Sequence, residues 1–370
     1  MNPLVSVIVP AFNAAHLIGR TLQSVSAQTY PQLEILVVDD GSRDETSERV
    51  LEAAATDPRI HLLRQENRGV AAARNTGIEA SRGDFVAPID ADDIWFPQKL
   101  EKQTAVFRSS PPTVGLVYAG SAPIFGDRWP SRLSMPKPLE GAVYLPLLRG
   151  NFLSNASTPL IRRECFERVG RYDPSYRDQD AQGCEDWDLY LRIAEQYAFR
   201  AVTECLVGYH QSVDTMSADW HRMHKSYRIL MARVKASHPA IPHHVFRWSN
   251  AGFLLYLATK VSRAQRYGEA VKFLGHALSQ DPWLMLDRRW SRLLIKSLRG
   301  SVRLREASTI APSAPHPAVM QTAHPHQLET VRGHGGGIIW TRVTRRRTVH
   351  LLDLQHALGL DLRSTPTTAH

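Results

Sequence analysis

The stretch Ile89-Asp90-Ala91-Asp92-Asp93-Ile94-Trp95 places three carboxylates within four positions. It follows directly on the apolar run 85–89, which has the composition of a buried strand. A strand that ends in clustered acids brings them to the carboxyl edge of a sheet, where open α/β folds bind their ligands. Because like charges this close repel one another, the pattern favours a hard divalent cation that keeps positions open for phosphate oxygens. The alternative is a solvated acidic turn that caps a helix beginning near Pro97.

Strands and helices alternate in the sequence before this acidic stretch. The predicted strands are Val5–Pro10, Leu33–Val38 and Ile60–Leu63, and the helices between and after them include residues 44–55 and Val70–Ala80. This alternation predicts an α/β fold with a parallel sheet and helices on both faces. The strands before Pro10, Asp40 and Asp90 would then end at one edge, so these residues could converge on one ligand.

Five sequence blocks resemble those of the family 2 glycosyltransferases. They are Val-Ser-Val-Ile-Val-Pro-Ala-Phe-Asn (5–13), Val-Val-Asp-Asp-Gly-Ser (37–42), Gly-Val-Ala-Ala-Ala-Arg-Asn-Thr-Gly-Ile (69–78), Ile-Asp-Ala-Asp-Asp-Ile-Trp (89–95) and Glu-Asp-Trp-Asp-Leu-Tyr-Leu-Arg (185–192). The resemblance covers about residues 1–220. It implies a GT-A fold with a mixed, mainly parallel sheet, and transfer of a sugar from a nucleotide diphosphate sugar with inversion at the anomeric carbon.

The resemblance assigns donor-binding roles to residues that follow the first strands. Pro10, Phe12 and Asp40 are expected to line the base and ribose pocket, and Arg74 to lie near the donor. The guanidinium of Arg74 suits a phosphate oxygen or a neighbouring carboxylate. Alternatively, Asp40 is a turn residue that bonds its own backbone ahead of Gly41, and Arg74 is a surface arginine on a helix.

The acids of the 89–95 block correspond to the family's Asp-x-Asp metal motif. Asp92 is expected to be the direct ligand of Mg²⁺ or Mn²⁺, and Asp90 to contact the ribose or a metal-bound water. A metal there would bridge the two phosphates and neutralise the charge that builds on the leaving nucleotide. Asp93 is expected to cap the helix that follows.

Inversion by direct displacement needs a base that reaches the acceptor hydroxyl. The pair Glu185-Asp186 stands at a predicted helix entrance, and the resemblance places the base on Asp186, with Glu185 in reserve. The alternative role for Asp186 is a helix N-cap, which would stabilise its charged form and weaken it as a base.

The resemblance leaves the roles of His210 and of the residues between the metal and base motifs open. His210 stands where the family usually has arginine, so it either contacts the diphosphate or simply ends a strand. Between the metal and base motifs, Trp129, Tyr144, Phe152 and Asn155 either shape a pocket for a sugar or lipid-linked acceptor or belong to the core.

Charge is distributed unevenly along this chain of 370 residues and net charge +9. Residues 1–220, the predicted glycosyltransferase domain, contain 22 basic and 29 acidic residues, whereas the predicted helical region 221–300 contains 15 and 3. Within it, residues 283–299 combine apolar and basic residues like a helix on an anionic membrane, although a packed amphipathic helix has the same pattern. No nucleic-acid-binding motif accompanies the basic residues, so no nucleic acid partner is expected. Residues 301–370 are predicted to form a low-complexity, poorly ordered tail.

The sequence predicts a cytoplasmic protein, with peripheral attachment to the inner face of the cell membrane as an option. The first strand begins at Val5, which predicts no signal peptide, and no apolar run reaches the length needed to cross a bilayer. The cysteines Cys165, Cys184 and Cys205 form an odd, widely spaced set that is consistent with reduced thiols.

Together these features predict a metal-dependent inverting glycosyltransferase that builds a surface polysaccharide or glycolipid, with a UDP-sugar as the expected donor. One alternative is a sugar-nucleotide-binding scaffold that has lost turnover. Another is a nucleotidyltransferase, but the chain has no Gly-rich loop after its first strand.

Overall fold

The computed structural model describes residues 2–124, 138–211, 219–309 and 342–362. These residues form two compact units. The first contains residues up to Phe246 together with residues 342–362, and the second contains residues 247–309.

The first unit is built on one eight-stranded sheet. Its strands are β1 (Val5–Ala11), β2 (Leu33–Asp39), β3 (Ile60–Arg64), β4 (Phe85–Pro88), β5 (Ile94–Trp95), β6 (Val114–Ile124), β7 (Pro159–Arg162) and β8 (Ala198–His210). Their order across the sheet is β3-β2-β1-β4-β7-β6-β8-β5.

Helices connect the strands and continue beyond them. They are α1 (Ile18–Ser26), α2 (Thr46–Thr56), α3 (Val70–Ala80), α4 (Lys99–Arg108), α5 (Tyr144–Arg149), α6 (Arg163–Val169), α7 (Ser175–Asp178), α8 (Glu185–Ala194), α9 (Trp220–Ser237), α10 (His243–Arg263), α11 (Tyr267–Gln280), α12 (Arg288–Thr309) and α13 (Arg342–Ala357), with a 3-10 helix at Pro282–Leu286.

The sheet is mixed and mainly parallel, as the resemblance implied. Strands β1, β2, β3 and β4 are parallel, whereas β7 is antiparallel to both of its neighbours, β4 and β6. Every residue of β1 and β2 is buried, because each strand is a nearly continuous apolar run covered on both faces. The carboxyl ends of β1, β2 and β4 therefore meet at one edge of the sheet, where the candidate site lies.

Helix α3 depends on a glycine at its start. Gly69 adopts a φ of +88°, a conformation that side chains other than glycine rarely adopt. A Cβ atom there would also lie 2.9 Å from Cδ of Arg177. Gly69 therefore lets the chain turn sharply into the helix that carries Arg74.

The second unit contains a break that the sequence pattern did not predict. The pattern over residues 283–299 predicts one helix, but the 3-10 helix ends at Leu286 and α12 begins only at Arg288. Asp287 between them has extended backbone angles, and its carboxylate accepts a hydrogen bond from the backbone N–H of Arg289 at 2.8 Å. This hydrogen bond caps the N-terminus of α12, so a separate helix begins there.

Part of the tail is a packed helix, whereas the sequence predicted little ordered structure after residue 300. Helix α13 contacts α5, with Leu351 fully buried and the backbone N–H of Leu145 donating to Oε1 of Gln355 at 2.9 Å. Residues 310–341, which include the glycine-rich stretch 333–337, lie outside the described residues. The division into domains at residues 220 and 300 stays a prediction.

Among the helices that the structure describes, none combines the length and the hydropathy that a membrane span requires.

Candidate functional site

The acidic stretch forms a loop that is fixed from two sides. Asp93 is fully buried, where its carboxylate accepts hydrogen bonds from Oγ of Ser157 and, at 2.9 Å, from the backbone N–H of His210. Oγ of Ser157 also accepts a hydrogen bond from the backbone N–H of Asp90 at 3.0 Å. The expectation that Asp93 caps the next helix is wrong, because α4 begins at Lys99 with Gln98 as its N-cap. Asp93 instead holds Asp90 and Asp92 in place at the strand end.

Asp90 and Asp92 are partly buried and electrostatically coupled. Burial and then the negative charge of Asp90 raise the pKa of Asp92 to about 7. A bound cation would relieve this repulsion, so the two carboxylates fit the divalent metal that the sequence predicted. Among the described residues no group of three or more His, Cys, Asp or Glu side chains is arranged to hold a metal. The chain thus offers two carboxylates, an arrangement that leaves coordination positions for phosphate oxygens.

His210 lies at the end of β8 and faces the acidic loop. Its Nδ1 lies 3.7 Å from Oδ2 of Asp92, is buried, and has no hydrogen-bond partner. Burial, reinforced by the charges of Arg20 and His16, lowers the pKa of His210. The imidazole is therefore mostly neutral at pH 7, and a neutral imidazole can direct an electron pair or an N–H at a ligand beside Asp92.

Arg74 is a buried residue of α3, not a surface arginine. Its side chain is only 6% exposed, and Nη2 donates to Oδ1 of Asp90 at 2.5 Å. The guanidinium carbon lies 5.1 Å from the ring centre of Tyr172. Although burial works in the opposite direction, the charge of Asp90 raises the pKa of Arg74 above its usual range. Arg74 is thus a fixed positive charge next to the predicted metal motif.

The loop after β1 presents Phe12 at the surface. Pro10 is buried within the strand, whereas the side chain of Phe12 is 50% exposed. The next residue, Asn13, has a φ of +49° and is held by a hydrogen bond from its backbone N–H to Oγ of Ser42 at 2.9 Å. An exposed aromatic ring on a fixed loop is suited to stacking against a nucleotide base.

The two acids that follow β2 have different roles. Asp39 is the turn residue, since its carboxylate accepts a hydrogen bond from the backbone N–H of Ser42 at 2.8 Å. Asp40 instead accepts from Nε2 of Gln65 at 2.7 Å and from the backbone N–H groups of Arg68 and Gly69 at 2.8 Å each. Asp40 therefore anchors the entrance of α3, and the contact between Asp40 and the nucleoside stays a prediction.

The predicted base pair lies in the first turn of α8. The N-cap of this helix is Cys184, so the alternative role of Asp186 as the cap is wrong. The carboxylate of Asp186 accepts from the backbone N–H of Trp187 at 2.7 Å, and that of Glu185 accepts from the backbone N–H of Gly183 at 2.7 Å. Burial raises the pKa of Asp186 to about 7, with Arg74 opposing and Glu185 adding to the shift. Burial also raises the pKa of Glu185.

The structure brings the predicted base and the predicted donor side together. The charge of Asp186 is close enough to influence the pKa of Arg74, and the charge of Asp90 influences that of Asp186. Asp90 after β4, Arg74 of α3 and Asp186 of α8 thus share one electrostatic environment. A carboxyl with a pKa near 7 in such a cluster is suited to accepting a proton at neutral pH.

The acceptor candidates mostly belong to the core. Tyr144 and Asn155 are buried, and the ring of Phe152 packs 5.5 Å from that of Tyr118. Trp129 lies outside the described residues. Tyr144 and Asn155 are therefore core residues.

Sequence reasoning missed the residues that hold the site together. Ser157 fixes the acidic loop, and Tyr172 supports Arg74. Neither lies in the motif block that it supports, and each is more than 60 residues distant from its partner, so no local pattern pointed to the contact.

The fold and the site define a class of protein. A mixed α/β sheet in which two carboxylates follow β4, beside a buried arginine of α3, has the architecture of a GT-A fold. The sequence profile described as "Glycosyl transferase family 2" matches residues 6–170, and that described as "Glycosyltransferase like family 2" matches residues 140–295.

Named relatives agree with these profiles. The chain is 45% identical over 229 residues to TuaG of Bacillus subtilis, a glycosyltransferase assigned provisionally to teichuronic acid biosynthesis. This match covers 61% of the chain and 86% of TuaG. It is 47% identical over 104 residues to WfgD of Escherichia coli, a UDP-Glc:alpha-D-GlcNAc-diphosphoundecaprenol beta-1,3-glucosyltransferase, covering 28% of the chain and 40% of WfgD. The chain therefore belongs to glycosyl transferase family 2, which confirms the expected family.

Other relatives and a solved structure complete the comparison. The chain spans 32% to 61% of the length of WfgD and three uncharacterised Rickettsia glycosyltransferases. S. aureus TarS, solved in complex with UDP-GlcNAc, superposes with a TM-score of 0.55 at 16% identity, covering 83% of this chain and 91% of that chain. This likeness shows the fold alone, and it confirms the expected GT-A architecture.

Proposed function

We propose that this protein is a metal-dependent inverting glycosyltransferase. It transfers a sugar from a nucleotide diphosphate sugar, with a UDP-sugar as the expected donor, to a glycan or lipid-linked acceptor during surface polysaccharide synthesis. The observation that carries the proposal is the convergence of Asp186 with Arg74 and Asp90. This convergence supports a base that stands beside the donor diphosphate.

The donor half of the site follows from the strand ends. Asp92 and Asp90 would hold Mg²⁺ or Mn²⁺, which supplies charge neutralisation for the departing diphosphate. Pro10, Phe12 and Asp40 would receive the nucleoside. WfgD, which is 47% identical to this chain over 104 residues, is named as a UDP-Glc-dependent glucosyltransferase, and this supports a uridine donor.

Two side chains, the cationic Arg74 and the polar His210, would orient the diphosphate. Arg74 already forms an ion pair with Asp90, and its fixed position supports a contact with a phosphate oxygen. His210 has a buried Nδ1 without a hydrogen-bond partner beside Asp92, which supports a contact between this imidazole and the metal–diphosphate group.

The chemical step requires a base on the side of the anomeric carbon away from the diphosphate. Asp186 would accept the proton of the acceptor hydroxyl as the oxygen of that hydroxyl bonds to the anomeric carbon. The bond from that carbon to the phosphate oxygen breaks in the same step, and its electrons leave with the nucleotide diphosphate. Glu185 is the reserve candidate, and each of the two carboxylates accepts one backbone hydrogen bond, from Gly183 to Glu185 and from Trp187 to Asp186.

The competing function is a sugar-nucleotide-binding scaffold without turnover. All the proposed reactive acids are present, and the pKa of Asp186 near 7 suits a working base, which favours the enzyme. A scaffold would bind the nucleotide with metal but would not consume the sugar nucleotide.

A lipid-linked acceptor requires the enzyme to work at a membrane surface. We propose that the protein is cytoplasmic and attaches peripherally to the inner face of the cell membrane. Residues 283–299 would meet the anionic lipid surface. The exposed apolar side chains Trp283, Met285 and Leu286 support this role.

Thermal unfolding in the presence of nucleotides tests the donor assignment. UDP, GDP, dTDP and CDP would each be compared with and without Mn²⁺, using Asp92→Asn as the matched variant. We expect UDP to raise Tm only with Mn²⁺, and Asp92→Asn to lose that rise. If no nucleotide shifts Tm of the folded protein, the donor proposal is wrong. If UDP binds but every sugar nucleotide and acceptor mixture leaves the donor intact, the scaffold replaces the enzyme.

A further inference from the structure

A short segment between α6 and α7 connects the two halves of the site. We call residues 170–173 the tyrosine strap. Its Tyr172 is tied to α3 through Asn75 by two hydrogen bonds: Nδ2 of Asn75 donates to the carbonyl of Tyr172 at 2.8 Å, and the backbone N–H of Tyr172 donates to Oδ1 of Asn75 at 3.0 Å. Asn75 is the residue directly after Arg74, so the strap is fixed to the helix turn that carries the buried guanidinium.

The strap is also tied to the helix that carries the candidate base. Arg192 of α8 donates to the carbonyl of Arg171 in the strap at 2.8 Å, and to that of Val169, the last residue of α6, at 2.6 Å. The same guanidinium pairs with Asp188 at 2.9 Å, one turn before it on the helix. The strap therefore joins α3, with Arg74, to α8, with Asp186, although these residues are far apart in the sequence.

The side chain of Tyr172 lies against Arg74. The ring is 2% exposed, and the guanidinium carbon is 5.1 Å from its centre, within the range of a cation–π contact. The Tyr172 hydroxyl is buried without a hydrogen-bond partner. The contact that Tyr172 makes with Arg74 is therefore through its aromatic face and not through a hydrogen bond of its hydroxyl.

A flexible arginine side chain needs such support in order to act at a fixed point. The Nε atom of Arg74 has no hydrogen-bond partner, so the contacts that orient the guanidinium are the ion pair with Asp90 and the Tyr172 ring. Once a ligand competes for Asp90, the ring is the contact that remains.

We propose that Tyr172 is a positioning residue for sugar transfer, whose ring, anchored by Asn75, holds the Arg74 guanidinium between Asp90 and Asp186. The inference rests on the proposed function, because it takes the nucleotide diphosphate as the ligand that Arg74 meets. It adds residues that no motif of the chain indicated, and it assigns them an action through Arg74 and not on the substrate.

Calorimetric titration with UDP in the presence of Mn²⁺ tests the role of the ring. Tyr172→Leu should weaken UDP binding about tenfold, the loss of one partly desolvated cation–π contact. Tyr172→Phe keeps the aromatic face and should restore binding to within about twofold of wild type. Phe107→Leu is the matched control, since Phe107 has a similar contact 4.8 Å from Arg162, away from the site, and this variant should bind UDP normally.

A double-mutant cycle with Arg74→Ala shows whether Tyr172 acts through the guanidinium. If it does, adding Tyr172→Leu to Arg74→Ala should cause little further loss of affinity. Losses that add independently would overturn the proposal, and so would wild-type affinity in Tyr172→Leu. Asn75→Ala should weaken UDP binding as well, because it frees the strap without touching the ring.

A failure of the positioning role can be distinguished from a failure of folding and from a failure of the donor proposal. If Tyr172→Leu fails to fold, Tyr172→Met fills the same space without an aromatic face and answers the same question. If the wild-type protein binds none of the four nucleotides with Mn²⁺, the donor proposal and the positioning role fall together. If the wild-type protein binds UDP and the Tyr172 and Asn75 variants bind it equally well, the positioning role alone is wrong.

Discussion

The environment of Asp186 determines whether this residue can act as a base at neutral pH. An exposed aspartate is a weak base at neutral pH, because its pKa lies near 4. Burial at the start of α8 raises the pKa of Asp186 to about 7, although the positive charge of Arg74 opposes the shift. The Asp186 carboxylate can therefore accept a proton at pH 7, as the proposed base must.

Asp186→Asn should abolish sugar transfer while leaving nucleotide binding intact. The amide cannot accept the proton of the acceptor hydroxyl, so kcat should fall by about 10²- to 10⁴-fold. In wild type the base works only when deprotonated, so kcat/KM should decline as the pH falls through about 7. Steady-state kinetics between pH 5.5 and 9, with UDP affinity measured alongside, check both effects. Retained transfer in the variant would shift the assignment to Glu185.

The stability of the same variant separates a lost base from a damaged fold. A carboxyl whose pKa is raised in the folded state binds its proton more tightly there than in the unfolded chain. Ionisation of Asp186 thus lowers stability as the pH rises from about 4 through 7. Asp186→Asn removes this penalty, so its Tm at pH 8 should equal or exceed that of wild type. A lower Tm at pH 8 would mean that the carboxylate has a structural role.

At the scale of elements, the entrance of α3 depends on a residue from β2. Asp40 satisfies two backbone N–H groups at the start of the helix and the side chain of Gln65. Gly69 is the N-cap residue of α3, so its backbone N–H has no partner within the helix itself. An acid expected to touch the nucleoside therefore already has a structural role.

Asp40→Ala should reduce stability as well as donor binding. Leaving these partly buried donors without an acceptor is expected to lower the free energy of unfolding by about 2–4 kcal/mol. Chemical denaturation followed by circular dichroism measures the loss, with Asp178→Ala as a control at an exposed acid of α7. A variant with wild-type stability but no UDP binding would mean that the donor contact outweighs the helix anchor.

The elements that the sequence predicted are those with a strong local pattern. Short stretches of sequence show the apolar runs of β1, β2 and β4 and the glycine before α3. They also show the carboxylates that follow β2 and β4. The antiparallel strand β7 and the strap were not predicted, because they depend on contacts such as Asn75 with Tyr172, 97 residues apart. Helix α13 was missed for a related reason: its apolar side chains find their partner in α5, some 200 residues earlier.

At the scale of the whole molecule, charge is distributed unevenly along the chain. The acidic half of the chain carries the site, whereas residues 288–303 of α12 contain six basic and no acidic residues. Its apolar side chains Ile295, Leu298 and Val302 are about half exposed and share one side of the helix. Apolar and basic groups that lie side by side on a helix suit the interface of an anionic bilayer.

Binding to lipid vesicles tests this surface, and the reversal of two charges gives a sharp variant. The protein should sediment with vesicles that contain phosphatidylglycerol and much less with pure phosphatidylcholine, and the binding should weaken with added salt. Because each basic residue near the surface contributes about 1 kcal/mol, Arg292→Glu combined with Arg299→Glu should reduce partitioning by at least about tenfold. Arg49→Glu with Arg168→Glu makes the same change in net charge at exposed positions of α2 and α6, so a surface effect should leave this control bound. If both double variants lose binding equally, net charge alone accounts for the attraction. If the wild-type protein does not bind the vesicles, membrane attachment is wrong, and the proposal for the sugar-transfer site is unaffected.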